Sequence, residues 1–196
     1  MNVNNKIFDN LTNKTLIASP YMLDELFDKS LIYMLSHTAE GAMGLIFNHF
    51  VDHTAIKSFF NIVDDKIDEH LTMPLYLGGP VEHQRGFFLH SDDYNKNLLL
   101  KCPNNLALSS NPEISYDIAH GNGPKNSLFI IGYTVWKSGQ LEEEIKNNFW
   151  IVTDSDQEFI FSEHPESNEY PDNKWRQALE NFGIKKSHFI IQTSNA

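Results

Sequence analysis

Four side chains stand out for the chemistry they could do together: Arg85, His90, Tyr133 and Trp136. Arg85 and His90 belong to "LGGPVEHQRGFFLH" (77–90), Tyr133 and Trp136 to "GYTVWKSGQLEEEIKNNFW" (132–150). An arginine beside Gly78 and Gly79 is suited to an anion or carboxylate, because Gly-rich turns can aim free backbone N–H groups at negative charge. Aromatic groups at a strand end, with a histidine in reach, would complete a small-molecule pocket. The competing reading is a glycine turn whose Arg85 pairs with Glu82 on the surface, and a strand, capped turn and helix that the fold needs.

Other arrangements are weaker. His49, Asp52 and His53 in "NHFVDH" would chelate a divalent metal on one helical turn, but a strand-to-helix junction there breaks the geometry, so no metal ligand is assigned. His37 and His90 both end strands and could reach a shared pocket, although sequence supplies no mutual geometry. Neither a phosphate-loop spacing nor a GxSxG elbow occurs. The single cysteine, Cys102, excludes an intramolecular disulfide; next to Pro103 it reads as a packed thiol, not a nucleophile. No catalytic residue and no cofactor follow from the sequence.

The elements that must position these residues are mainly strands. "KTLIASP" (14–20), "SLIYMLSHT" (30–38), "GAMGLIFNH" (41–49), "MPLYLGGP", "RGFFLHS", "NLLLKC", "LALSS", "SLFIIGYTVW", "FWIVTDS" and "EFIFSE" are short apolar runs bounded by Gly, Pro, Ser or Asn. "TAEG" reads as a hairpin turn. Ile56, Phe59, Phe60 and Val63 share one face of a short helix, and "NPEISYDIAHGNGPKN" holds one or two helical turns. "QLEEEIKNN" is a helix capped by Gly139 or Ser138, with Leu141, Ile145 and Phe149 on one side and a Glu142–Lys146 pair. "KWRQALENFG" buries Trp175, Ala178, Leu179 and Phe182, and Gly183 suits the position after its end. "EHPESNEYPDN" (163–173) reads as a loop and "HFIIQTS" as a last strand. Many strands with few helices, without regular alternation, predict an α+β domain built on a mostly antiparallel or mixed sheet. Residues 1–10 read as a flexible tail and 11–196 as one domain.

Composition bounds the partners. Lys plus Arg number 15 against 26 Asp plus Glu, a formal charge of −11, with only Arg85 and Arg176 as arginines. Such a field repels phosphate backbones and disfavours direct DNA binding. The start lacks a secretory h-region, and "LFIIGYTVW" is about half the length of a membrane helix. A reducing cytoplasmic setting, without a membrane partner, is the expectation.

Taken together, "IASPYMLDELFDKSLIYMLSH", "GAMGLIFNH", "LGGPVEHQRGFFLH" and "GYTVWKSGQLEEEIKNNFW" resemble, in order and spacing, the YqgE/AlgH family of bacterial proteins over residues 11 to 185. The resemblance implies an α+β fold. One branch of the family takes its name from a proposed role in transcriptional control of alginate synthesis, so the resemblance implies a binding or regulatory protein, with an unknown protein or small molecule as partner. It carries over no catalytic residue. Asn48-His49-Phe50 stands where members usually have Asn-Lys-Pro, and Ser109-Ser110-Asn111-Pro112-Glu113 where many have Thr-Thr-Ser-Arg-Asp. An anion site depending on that arginine is not expected here.

Overall fold

The computed structural model describes residues 10–51, 73–162 and 170–184. Among the described residues ten strands form one curled sheet: β1 Lys14–Ala18, β2 Leu31–Thr38, β3 Gly41–Ile46, β4 Phe50–Val51, β5 Leu75–Leu77, β6 Val81–Ser91, β7 Leu100–Lys101, β8 Leu106–Ser109, β9 Ser127–Lys137 and β10 Trp150–Asp154. Among the described residues there are four helices: α1 Glu113–Ala119, α2 Gln140–Lys146, α3 Gln157–Phe161 and α4 Tyr170–Asn181. The strand order is β10-β1-β2-β3-β9-β6-β8-β7, and β5 lies beside β9 with β4 on it. Every pairing is antiparallel except β5 with β9. The expected α+β class is what the chain adopts.

Alternation along the strands sorts the core into layers. In β2, Leu31, Tyr33 and Leu35 face the inside of the curl, while Ile32 and Met34 face outward. In β6, Phe87 and Leu89 point inward and Phe88 outward. The interior is closed by Ile160 of α3 and by Tyr170, Trp175, Ala178 and Leu179 of α4. Outside, α2 covers one end through Leu141, with Ile145 against the same cluster, and α1 covers the other through Ile114 and Ile118. Both faces of the sheet are buried in the middle, so "LFII" in β9 is a continuous apolar run.

Between Val81 and Gly86 the register of β6 against β9 shifts. Val81 stands opposite Tyr133 and Gly86 opposite Ile131, so Glu82 to Arg85 are extruded against the single residue Gly132, whose φ is +69°. This irregularity reverses the alternation of β9: Ile130 and Tyr133 both pack toward the interior, whereas Trp136 belongs to the outer layer. The same region is where β3 leaves β9. Gly78 fills the gap, donating its N–H to Ile131 O (2.7 Å) and accepting from Ile46 N (3.0 Å).

Several local expectations need correction. "EFIFSE" is not a strand. Asp156 caps α3 by accepting from Glu158 N (2.9 Å), and this cap, with Glu158 in the first turn, selects a helical turn over the five residues that follow. The end of the 163–173 loop is the start of α4, with Tyr170 buried in it. Within α4, Trp175, Ala178 and Leu179 are buried as expected, but Phe182 lies past the last helical residue and is half exposed. Lys146 pairs with Glu143 (3.5 Å), not Glu142, because Glu142 turns to His37. The helix expected around Ile56 to Val63, the strand at "HFIIQTS" and the tail up to Met1 to Asp9 lie outside the described residues.

Candidate functional site

The structure brings two of the four leading candidates together and separates the others. Arg85 and Tyr133 meet at the extruded segment of β6. The Arg85 guanidinium lies 3.4 Å from the Glu82 carboxylate and 5.1 Å from the centre of the Phe87 ring. Phe87 in turn meets Tyr133 edge to face at 6.2 Å. The Glu82 carboxylate accepts from the Tyr133 hydroxyl and raises its pKa; burial adds to this, and Arg85 opposes it. Arg85 and Glu82 are both about half exposed, so their pair contributes little to stability and remains open to solvent.

His90 stands elsewhere. It is opposite Ser127, and the length of β9 from Ser127 to Tyr133 is roughly 20 Å. Trp136 is nearer Tyr133 in sequence but lies on the other side of the sheet, in the layer under α2. A single pocket around Arg85, His90, Tyr133 and Trp136 is therefore not formed. His37 and His90 do not converge either: β2 and β6 are separated by β3 and β9.

Gly78 and Gly79 serve close backbone approach. A Cβ on Gly78 would collide with the Gly132 carbonyl, and one on Gly79 with the Tyr133 carbonyl. The Gly78 N–H is already bonded within the sheet. No anion nest is needed to explain that glycine.

His90 and Ser109 form a hydrogen-bonded pair with no exposed surface. The Ser91 carbonyl sits 2.8 Å from Nδ1, so Nδ1–H donates to it. In the neutral ring the Ser109 hydroxyl then donates to Nε2 at 3.0 Å. Tyr94 seals the ring edge on at 5.7 Å. Burial lowers the His90 pKa below 6.5, and the Ser91 carbonyl and the acids Asp93 and Asp92 oppose this only in part. His49 is lowered from 6.5 by burial in the same way, with its Nε2 3.1 Å from Ser30 Oγ. Asp52 and His53, its expected metal-binding companions, lie outside the described residues.

These two rings predict acid sensitivity. The unfolded chain takes up their protons near pH 6.5 and the folded chain only at lower pH. Below 6.5 the unfolded state binds more protons, so stability falls as pH drops; above 6.5 both states hold neutral rings and the contribution is flat. The melting temperature should decline from pH 7 to about pH 5, and His90→Gln should shallow that decline. An identical slope in the variant would show that burial does not depress His90.

The three consecutive glutamates each have a distinct role. Glu142 accepts from His37 Nε2–H (3.2 Å), whose Nδ1 accepts the Leu11 N–H (3.1 Å). Glu143 faces Lys146. Glu144 accepts both indole N–H groups, Trp136 at 2.8 Å and Trp150 at 2.7 Å, on one carboxylate oxygen, while Gln140 donates to the other at 2.9 Å. Sequence reading missed this clamp. Its signal was available: two tryptophans flank one amphipathic helix, and a buried indole N–H needs an acceptor. Glu144→Ala should lose about 2 kcal/mol by leaving two part-buried indole donors without partners. Chemical denaturation measures this, and no loss would show that water replaces the carboxylate.

Cys102 is buried, and burial raises its pKa, as a packed thiol requires. Between β1, β10, α3 and α4 lies a cleft of ≈ 170 Å³ whose polar lining includes Thr15, Thr153, Asp154 and Asp156. Asp154 is held by Lys14 (2.5 Å) and Asp156 by its capping role. No helix among the described residues is long and apolar enough to cross a membrane.

Comparison with known proteins agrees with this architecture. The AlgH-like family model, DUF179, matches residues 15–187. A UPF0301 protein of Rickettsia prowazekii (strain Madrid E) is 60% identical over 192 residues, covering 97% of this chain and 98% of its own. A UPF0301 protein of Rickettsia typhi is 59% identical over the same length. The solution structure of the AlgH protein from Pseudomonas aeruginosa is similar with a TM-score of 0.70 at 28% identity, over 100% of both chains. A crystal structure of a Corynebacterium diphtheriae protein, at 19% identity, has a TM-score of 0.64 over 92% of this chain and 90% of its own, a likeness of fold. With the family model spanning residues 15–187, a relative at 60% identity over nearly its whole length and a matching fold, the chain belongs to the AlgH-like family of UPF0301 proteins.

Proposed function

We propose that this protein acts by binding and not by catalysis, as a cytoplasmic protein whose influence on transcription, where it has one, is exerted through a protein contact. One observation carries the reading. Among the described residues, five side chains able to do acid–base chemistry, His37, His49, His90, Glu142 and Glu144, are engaged by partners inside the fold, and the His90–Ser109 pair has no exposed surface. A charge of −11 with two arginines favours a protein partner over DNA. Cross-linking in native cells followed by affinity purification tests this. The expected result is the same partner recovered repeatedly above a tag-only control; repeated recovery of none would count against it.

A second reading rests on the solvent-facing Arg85–Glu82–Tyr133 cluster: a small carboxylate or phosphate displaces Glu82 and is held by the guanidinium and the phenol. Calorimetric titration with citrate and with inorganic phosphate should then show saturable binding that Arg85→Ala abolishes. Equal heats for both proteins would remove this reading.

A further inference from the structure

Between β1 and β2 the chain runs through a loop, Ser19 to Ser30, whose shape is set from within. Met22 and Phe27 turn inward to the layer under α2, where Phe27 stacks on Trp136 at 6.4 Å and meets Trp150 edge on at 5.8 Å. Successive turns are closed by Met22 N to Ser19 O (3.0 Å), Phe27 N to Asp24 O (3.0 Å) and Ser30 N to Phe27 O (3.1 Å). The Asp24 carboxylate also accepts the Leu26 N–H at 2.9 Å. A loop held this way is ordered before anything binds, which lowers the entropy lost on association.

Its outward residues are unusual for a surface held so firmly. Tyr21 is 64% exposed, Leu23 81% and Leu26 48%. Single exposed leucines are ordinary, but here three large apolar side chains are exposed within six positions of one loop. Asp24, Glu25 and Asp28 are exposed among them. The loop's one cation, Lys29, lies 2.9 Å from Asp172 and 3.9 Å from Asp28, so Asp24 and Glu25 are the acids it leaves to a partner.

We propose that this loop docks a basic amphipathic segment of another protein. Leu23 and Leu26 enter the apolar face of that segment, and Asp24 and Glu25 face its lysines or arginines. Charge selects this occupant. A second copy of the chain would set −11 against −11, with acid facing acid, and phosphate backbones and anionic lipid surfaces are repelled in the same way. The inference rests on the binding reading above and names the chemistry of the partner.

The test titrates the full-length, isotope-labelled protein with a synthetic amphipathic helix of Leu and Lys, following amide shifts and heats at low and high salt. Shifts should gather in residues 19–30, and affinity should fall as salt rises. Leu23→Ser combined with Leu26→Ser should weaken binding at least ~10-fold at an unchanged melting temperature, since neither side chain belongs to the core. Asp24→Asn with Glu25→Gln should remove most of the salt dependence while keeping an acceptor for the Leu26 N–H. Shifts spread over the acidic surface, or undiminished affinity in the leucine variant, would overturn the docking loop. So would self-association, or binding to phosphatidylglycerol vesicles or duplex DNA, that depends on these leucines. If cross-linking in cells recovers the same partner with the leucine variant, the loop assignment fails and the binding reading stands. If it recovers none with the wild-type protein, the binding reading itself fails.

Discussion

Gly79→Ala will destabilise the protein by roughly 3–5 kcal/mol. The φ of Gly79 is +146°, a region an L side chain enters only under strain. Its added Cβ would strike the Tyr133 carbonyl carbon and oxygen and lie 2.6 Å from Thr134 N. All three are backbone atoms, so no rotamer change relieves the contact. Neither can β9 retreat, because β3 pairs with it at Thr134 and β6 on its other edge at Tyr133. The cost combines strained backbone with overpacking at the point where the sheet divides. Gly139→Ala is the matched control: its φ is +75°, and nothing lies within 4 Å of the added Cβ. It should lose only ~1 kcal/mol, from left-handed strain. Thermal and denaturant unfolding of both variants separate the two causes. Equal losses would mean that the approach of Gly79 to β9 is not tight.

The second large effect is Trp175→Ala, at roughly 3–5 kcal/mol. Trp175 is 6% exposed, packs inside the curl with Leu179 and Ala178, and donates its indole N–H to Ala18 O at 2.7 Å. That bond ties α4 to β1 across the interior. Truncation removes a large apolar surface and leaves a cavity beneath a helix that closes the curl. Trp175→Phe keeps most of the packing and loses the bond, so it should lose only about 1–2 kcal/mol. Denaturant midpoints for the pair apportion packing and hydrogen bond. An unchanged melting temperature in the alanine variant would show that α4 does not seal the interior.

How far the sequence reveals this molecule follows from what periodicity can encode. The hairpin of β2 and β3, the long strand β9 and the apolar faces of α2 and α4 are legible, because each has several residues at one spacing and a glycine at its boundary. Helix α3 is not: over five residues, "QEFIF" suits either period, and only the Asp156 cap decides. The site is hidden for a sharper reason. Tyr133 and Trp136 follow the point where Gly132 and the extruded Glu82 to Arg85 reverse the alternation of β9. One residue of register moves a side chain to the opposite face, and no local pattern announces it. His90 and Ser109 meet through the pairing of β6 with β8, nineteen residues apart in sequence. The Glu144 clamp needs the helix to be placed over the sheet before its two tryptophans can be seen to share an acceptor.

The central claim is that the polar residues of the signature stretches support the scaffold and that function lies in binding. Incubation of the purified protein with a metabolite extract, followed by untargeted mass spectrometry, tests it most directly. The account predicts no metabolite consumed above a heat-denatured control, for the wild-type protein and for His90→Gln alike. A metabolite that the wild type consumes and the folded His90→Gln variant does not would contradict it.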